Sequence, residues 1–144
     1  MDGSGLLSPA TMLLPMAALV AVTAIVWVRL YFERIGEMRE RKIRPQALAR
    51  AHDLQQLLTR TQSADNLRNL FEMPVLFYAL CLAVAATGAA TPFLVDGAWA
   101  FVVLRAVHSL IHCTYNRVRH RFAVYVASSA LLFALWAAFV ARMV

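Results

Sequence analysis

Three long stretches without a charged side chain restrict what this chain can fold into. Between Asp2 and Arg29 lie 26 uncharged residues, between Glu72 and Asp96 lie 23, and between Arg121 and Arg142 lie 20. Each reaches the roughly 18–20 residues that a helix needs to cross a hydrocarbon core. The polar side chains are too few for the alternative. Only 15% of the 144 residues are charged and 61% are apolar, against about 25% and about 45–50% in a soluble domain. The chain therefore reads as one polytopic membrane domain, residues 1–144. The first run is not expected to be a cleaved signal peptide. It opens with Met1-Asp2-Gly3 instead of a basic leader, and it exceeds the roughly 7–15 apolar residues of such peptides.

The formal net charge of +6 invites a nucleic-acid reading, but its placement argues against one. Eight of the 14 basic residues fall between Arg34 and Arg68, and Arg117, Arg119 and Arg121 precede the last apolar run. That is the positive-inside bias of cytoplasmic loops. Cys81 and Cys113 lie in or beside apolar segments, so no disulfide framework is implied.

The expected fold is all-α, a four-transmembrane-helix bundle. The first helix should run over about 8–32, with a bend at Pro15. Pro45 can open the next. With no Gly and only Pro74 between Gln46 and Thr87, residues 46–87 read as one long helix. Its first part stands in cytoplasm, its Leu stripe packs on neighbours, and Pro74 kinks it near the membrane boundary. Residues 88–97, rich in turn formers and free of Lys and Arg, belong on the far side. The third and fourth helices cover about 98–115 and 121–144. Four crossings with two basic loops place both loops in the cytoplasm and both termini outside.

An ionisable residue at mid-helix costs about 2.5–3.5 kcal/mol on insertion scales, so it normally faces partners or a cavity. On the second helix Asp65, Arg68, Asn69 and Glu72 are spaced i, i+3, i+4 and i+7, one face at about 100° per residue. Arg105, His108, His112 and Tyr115 form a similar face on the third, and Arg121 and Tyr125 stand one turn apart on the fourth. A convergent polar site at the cytoplasmic ends follows. Competing readings are structural ion pairs, Arg68 with Glu72 and Glu72 with Arg105, and lipid head groups held by Arg117, Arg119 and Arg121. His108 and His112 at i, i+4 could also share a metal with Glu72 or Cys113, though without a defined third ligand no metal is expected.

The pattern Arg68-Asn69-Leu70-Phe71-Glu72-Met73-Pro74-Val75-Leu76-Phe77-Tyr78 is similar to the Asn-x-x-Glu segment, followed by Pro and aromatics, of the MAPEG family (membrane-associated proteins in eicosanoid and glutathione metabolism). Arg105-Ala106-Val107-His108, with Tyr115, Arg117, Arg121 and Tyr125 beyond it, resembles the Arg-x-x-His stretch of that family's microsomal prostaglandin E synthases. The resemblance implies a homotrimer with glutathione bound between subunits near the cytoplasmic face. It implies Arg39, Arg68, Asn69, Glu72, Arg105, His108 and Tyr125 as glutathione-binding positions, and Arg121 as the catalytic arginine that stabilises the thiolate. His112 and Tyr115 would line the substrate pocket, and a lipophilic substrate would enter from the bilayer.

The chemistry of the residue types agrees. Glutathione carries two carboxylates and one ammonium, which calls for several cations and an anion; Arg binds carboxylates through a planar fork, and Glu72 suits the ammonium. A guanidinium beside the sulfur favours the thiolate, the attacking form. His112 can exchange a proton. The chain departs from the prostaglandin synthases in having His112 for Tyr, Phe122 for Ser and Pro74 only two residues after Glu72; Asn66 stands where many family members have Ala. These departures disfavour an eicosanoid substrate. The expected function is a glutathione-dependent membrane transferase or peroxidase, in a bacterial inner membrane. The alternative is a non-catalytic lipid-binding or scaffold protein on the same fold.

Overall fold

The computed structural model describes residues 6–49, 52 and 56–143. The first crossing opens with a 3-10 turn, Pro9–Met12, and continues as α1, Leu13–Glu40. Pro15 falls in the first turn of α1, where the backbone has just changed from 3-10 to α geometry, and not in the helix interior where a bend was expected. A missing amide there removes little helical hydrogen bonding. The helix also runs eight residues beyond the expected end at 32. Pairs four residues apart carry it past the apolar run: Arg29 Nε donates to Glu33 at 2.8 Å and Arg41 Nη1 to Glu37 at 3.1 Å.

The expected single helix over 46–87 is not formed. Pro45 opens only a 3-10 turn, Pro45–Leu48; residues 50, 51 and 53–55 lie outside the described residues. Residues 58–61 are non-helical, and the amides of Thr59 and Arg60 are taken by Glu37. Glu37, 2% exposed, accepts Thr59 N–H and Oγ1–H at 2.7 Å each and Arg60 N–H at 3.0 Å. Arg41 donates to the Leu57 carbonyl, and Arg60 Nη2 meets Glu40 at 2.7 Å. The second crossing then consists of two helices, α2 (Gln62–Leu70) and α3 (Met73–Thr87), separated at Phe71 and Glu72. The kink expected at Pro74 is therefore a complete break just upstream of it. Pro74 has no N–H for the Leu70 carbonyl and its ring crowds that oxygen, so the helix stops at Leu70 and restarts with Pro74 in the new first turn.

Gly88 ends α3 in the left-handed region, φ 66°, with Ala89 N–H bonding the Val84 carbonyl at 3.1 Å and Gly88 N–H the Ala85 carbonyl at 3.4 Å. This paired closure satisfies two of the helix's last carbonyls. The next helix begins six residues earlier than expected. Pro92 at its first turn and Thr91, whose hydroxyl accepts Leu94 N–H at 3.3 Å, cap α4, Pro92–Cys113. It ends two residues before Tyr115. The last helix, α5 (Val118–Ala141), starts three residues before Arg121.

Four helical spans, Pro9–Glu40, Gln62–Thr87, Pro92–Cys113 and Val118–Ala141, are long and apolar enough to cross a bilayer. They pack around Met12, Leu19, Leu80, Leu94, Leu132 and Leu135, all fully buried, and the stacked rings of Phe77 and Phe101, 4.5 Å apart. The outward faces carry Leu14, Ile25, Phe32, Val103, Leu110 and Phe133, each more than half exposed. Such continuous apolar surface suits hydrocarbon and not water. The chain is an all-helical, multi-pass integral membrane protein. Leu7 N–H bonds the Ala90 carbonyl at 2.7 Å, so the N-terminal turn and the α3–α4 turn share one end of the bundle.

Candidate functional site

The break between α2 and α3 has a chemical consequence. In an unbroken helix the Asn69 carbonyl would accept the amide of residue 73; here it takes Glu72 N–H at 3.4 Å and Arg105 Nη2 at 2.7 Å. Arg105, on α4, is fully buried, and its guanidinium carbon lies 5.5 Å from the Tyr125 ring centre on α5. Its Nε and Nη1 are buried with no hydrogen-bond partner among the described residues.

One turn along α4, His108 faces the Arg121 carbonyl through Nδ1 at 3.1 Å. A carbonyl only accepts, so Nδ1 carries the proton, and Nε2 is left buried without a partner among the described residues. One turn further, His112 Nε2 lies 2.7 Å from Arg121 Nη1. A guanidinium only donates, so this nitrogen is the acceptor and His112 is the neutral tautomer protonated at Nδ1. That Nδ1 is also buried, with no partner among the described residues. The same Arg121 Nη1 donates to Asn116 Oδ1 at 2.8 Å.

Asn69, Glu72, His108, Arg121 and Tyr125, with Val118 and Phe122, line one cleft of about 230 Å³. Arg105 adjoins it through Asn69 and Tyr125, and His112 through Arg121. Seven of the ten sequence-predicted residues are thus drawn together by α2, α4, α5 and the α2–α3 break. The other three are not. Arg68 is exposed, 4.0 Å from Asp65 on the same helix. Tyr115 lies past the end of α4, outside the cleft, its hydroxyl 3.2 Å from His120 Nδ1. Arg39 lines a separate hollow on α1 with Ile35, Met38, Lys42, Ile43 and Pro45. Neither of the ion pairs considered for Glu72 forms: among the described residues it makes no salt bridge, and Arg105 is held by a backbone carbonyl instead.

Sequence reasoning passed over Asn116. It stands in the short turn between two apolar runs, a position that favours Asn for turn formation, and its φ of 46° confirms a left-handed residue. Asn66, noted only as a departure, is fully buried. Its Nδ2 donates to Cys113 Sγ at 3.5 Å and its Oδ1 accepts from Ser109 at 3.4 Å, fastening α2 to α4 behind the cleft.

The profile of the MAPEG family matches residues 12–141, nearly the whole length of the sequence. The chain belongs to the MAPEG family. Comparison with curated proteins and with solved structures finds no match. The family includes membrane-bound glutathione transferases and peroxidases, and its members generally use glutathione. A glutathione-related membrane function is therefore the general assignment for this MAPEG chain.

Proposed function

We propose that this MAPEG protein is a glutathione-dependent transferase or peroxidase acting on a lipophilic electrophile. The observation that supports it best is Arg121. It stands at the wall of a cleft built from three helices, gripped by His112 and Asn116, with no carboxylate partner among the described residues. The cleft's chemistry fits glutathione. Arg105, beside the cleft, has two buried donors with no partner among the described residues, Glu72 is exposed at the rim for an ammonium, and Arg121 Nε and Nη2, with no partner among the described residues, are left for an anion.

Bound glutathione supplies the nucleophilic sulfur. Arg121 holds the developing thiolate by charge and hydrogen bonding in a site partly shielded from water, where such an interaction is stronger than in solution. Its location in the first turn of α5 adds the positive end of the helix dipole. Asn69, Glu72, Arg105, His108 and Tyr125 orient the peptide. His112, neutral with its proton on Nδ1, offers a hydrogen bond and not a proton, and the leaving atom takes its proton from solvent.

At about 230 Å³ the cleft is smaller than the roughly 300–1,000 Å³ of small-molecule sites. A second copy of the chain completes it in this reading, bringing Arg39 and Arg68 to a site shared across a homotrimer. The Arg105–His108 spacing resembles the microsomal prostaglandin E synthases, whereas His112 and Phe122 argue for an electrophile other than an eicosanoid. The basic connectors would lie in the cytoplasm of a bacterial inner membrane with both termini outside.

The test is an ultraviolet difference spectrum of the detergent-solubilised protein titrated with glutathione, beside Arg121→Ala. A saturable thiolate band in the wild type that is lost in the variant is the expected result. If neither the spectrum nor a calorimetric titration shows glutathione binding, the cleft serves lipid or partner binding instead.

A further inference from the structure

Arg121 Nη1 carries two hydrogens, and both are used: one on His112 Nε2 at 2.7 Å, the other on Asn116 Oδ1 at 2.8 Å. Two acceptors on one nitrogen fix the guanidinium plane, and Nε and Nη2, which have no partner among the described residues, are the donors left for a ligand. The main chain beside it is also held, through His108 and the Arg121 carbonyl. Neither side-chain acceptor carries a negative charge. The usual partner for a half-buried guanidinium is a carboxylate, which pairs with it in a charge-assisted fork. Glu72 lines the same cleft and makes no salt bridge with it. The positive charge is therefore aimed without being cancelled.

We infer that Asn116 is a positioning residue that aims the Arg121 guanidinium into the cleft while leaving its charge for an anionic ligand. This rests on the glutathione reading, and it concerns a residue outside the expected site. Asn116 also has a backbone role. Its φ of 46° and its N–H bond to the Ile111 carbonyl at 2.8 Å close the end of α4. Gly satisfies that backbone role equally, and Asp satisfies both the backbone and the acceptor roles. The side-chain amide is distinguished from Asp only by being neutral.

The experiment uses the full chain in detergent, with glutathione as the probe. It reads the thiolate fraction of bound glutathione as a function of pH, beside the thermal unfolding midpoint. The proteins are the wild type, Asn116→Asp, Asn116→Gly and Arg121→Ala. In Asn116→Asp the hydrogen bond and turn persist but a carboxylate neutralises Arg121, so the thiol's midpoint rises by about one pH unit and the thiolate fraction falls by about tenfold at pH values below the wild-type midpoint. In Asn116→Gly the turn persists and the charge persists but the aim is lost, so the midpoint rises by about half a pH unit or more, roughly threefold in thiolate fraction below the wild-type midpoint, with little change in unfolding. A purely structural Asn116 predicts a wild-type fraction in Asn116→Asp. A wild-type fraction in either Asn116 variant, with the band lost in Arg121→Ala, overturns this inference alone. A band that survives Arg121→Ala overturns the glutathione-activating role of Arg121 and the inference with it.

Discussion

The contact between α4 and α5 offers a quantitative test of the packing that holds the cleft together. A Cβ added at Gly97 would stand 2.4 Å from Leu135 Cδ2 and 3.2 and 3.3 Å from Cδ1 and Cγ. Carbon atoms attract best at about 3.5–4.0 Å, so a methyl at residue 97 overlaps by roughly 1 Å with a side chain that is itself fully buried. Gly97→Ala gains about 1 kcal/mol in helix propensity and loses about 1–3 kcal/mol to overpacking. The single variant is thus destabilised by only about 0–2 kcal/mol, which is weak evidence alone. Leu135→Ala removes the obstacle and costs about 2–5 kcal/mol through the cavity it leaves. In the double variant the overlap is gone while the propensity gain remains. The two substitutions should therefore couple favourably by about 1–3 kcal/mol. Reversible unfolding of the four proteins in mixed detergent measures that coupling. Additivity within about 0.5 kcal/mol would refute the claim that Gly97 sets the spacing of α4 and α5.

Two further substitutions address the segments that depart from helix. Glu37→Ala removes the acceptor of the Thr59 and Arg60 amides; with about 1–2 kcal/mol of local stability lost, limited proteolysis within residues 57–61 should accelerate by about tenfold, and Glu37→Gln should fall between. Equal cleavage rates in all three would show that the carboxylate does not hold this segment. Pro74→Ala gives residue 74 an amide for the Leu70 carbonyl and favours a continuous α2–α3 helix, which withdraws the Asn69 carbonyl from Arg105. Calorimetric affinity for glutathione should drop several-fold while thermal stability is unchanged or higher. Lower stability with wild-type affinity contradicts the role given to the break.

Three of the four spans were legible because uncharged runs of bilayer length have few other uses, the fourth from an apolar segment that Arg105, His108 and His112 interrupt, and seven residues in or beside the cleft were legible because helical periodicity places them on shared faces. Element ends were less so. The extension of α1 to Glu40 depends on i, i+4 ion pairs beyond the apolar run, and the start of α4 at Pro92 depends on Thr91 as a cap, a local signal outweighed by Gly88, Asp96 and Gly97 nearby. The non-helical stretch at 58–61 had no sequence signature. Its Thr59 and Arg60 amides are satisfied by Glu37, more than twenty residues away, and such a partner emerges only on folding. Tyr115 was misplaced for a related reason. It continues the helical spacing of Arg105, His108 and His112, but α4 ends at Cys113, so the extrapolated face no longer exists where Tyr115 stands.

The two irregular points near the cleft, the α2–α3 break and the Asn116 turn, are governed by one physical rule. Within a membrane protein a backbone group released from a helix must find another partner, since hydrocarbon offers none. At the break, Arg105 provides that partner for Asn69, and a fully buried guanidinium is thereby held with two donors to spare. At the end of α5 that faces the turn, His108 takes the Arg121 carbonyl, while His112 and Asn116 take one nitrogen of its side chain. Arg105 is oriented by a carbonyl that the break releases, and Arg121 by Asn116 in the turn together with His112 on α4; all three are neutral groups. An ordinary pair of unbroken helices would leave the Asn69 carbonyl engaged in its own helix, and a carboxylate would then be needed to hold each arginine. Both charges would be spent inside the protein. The break frees the Asn69 carbonyl and the turn supplies Asn116, so Arg105 beside the cleft and Arg121 in its wall are both held by neutral groups, an electrostatic condition that favours an anion there.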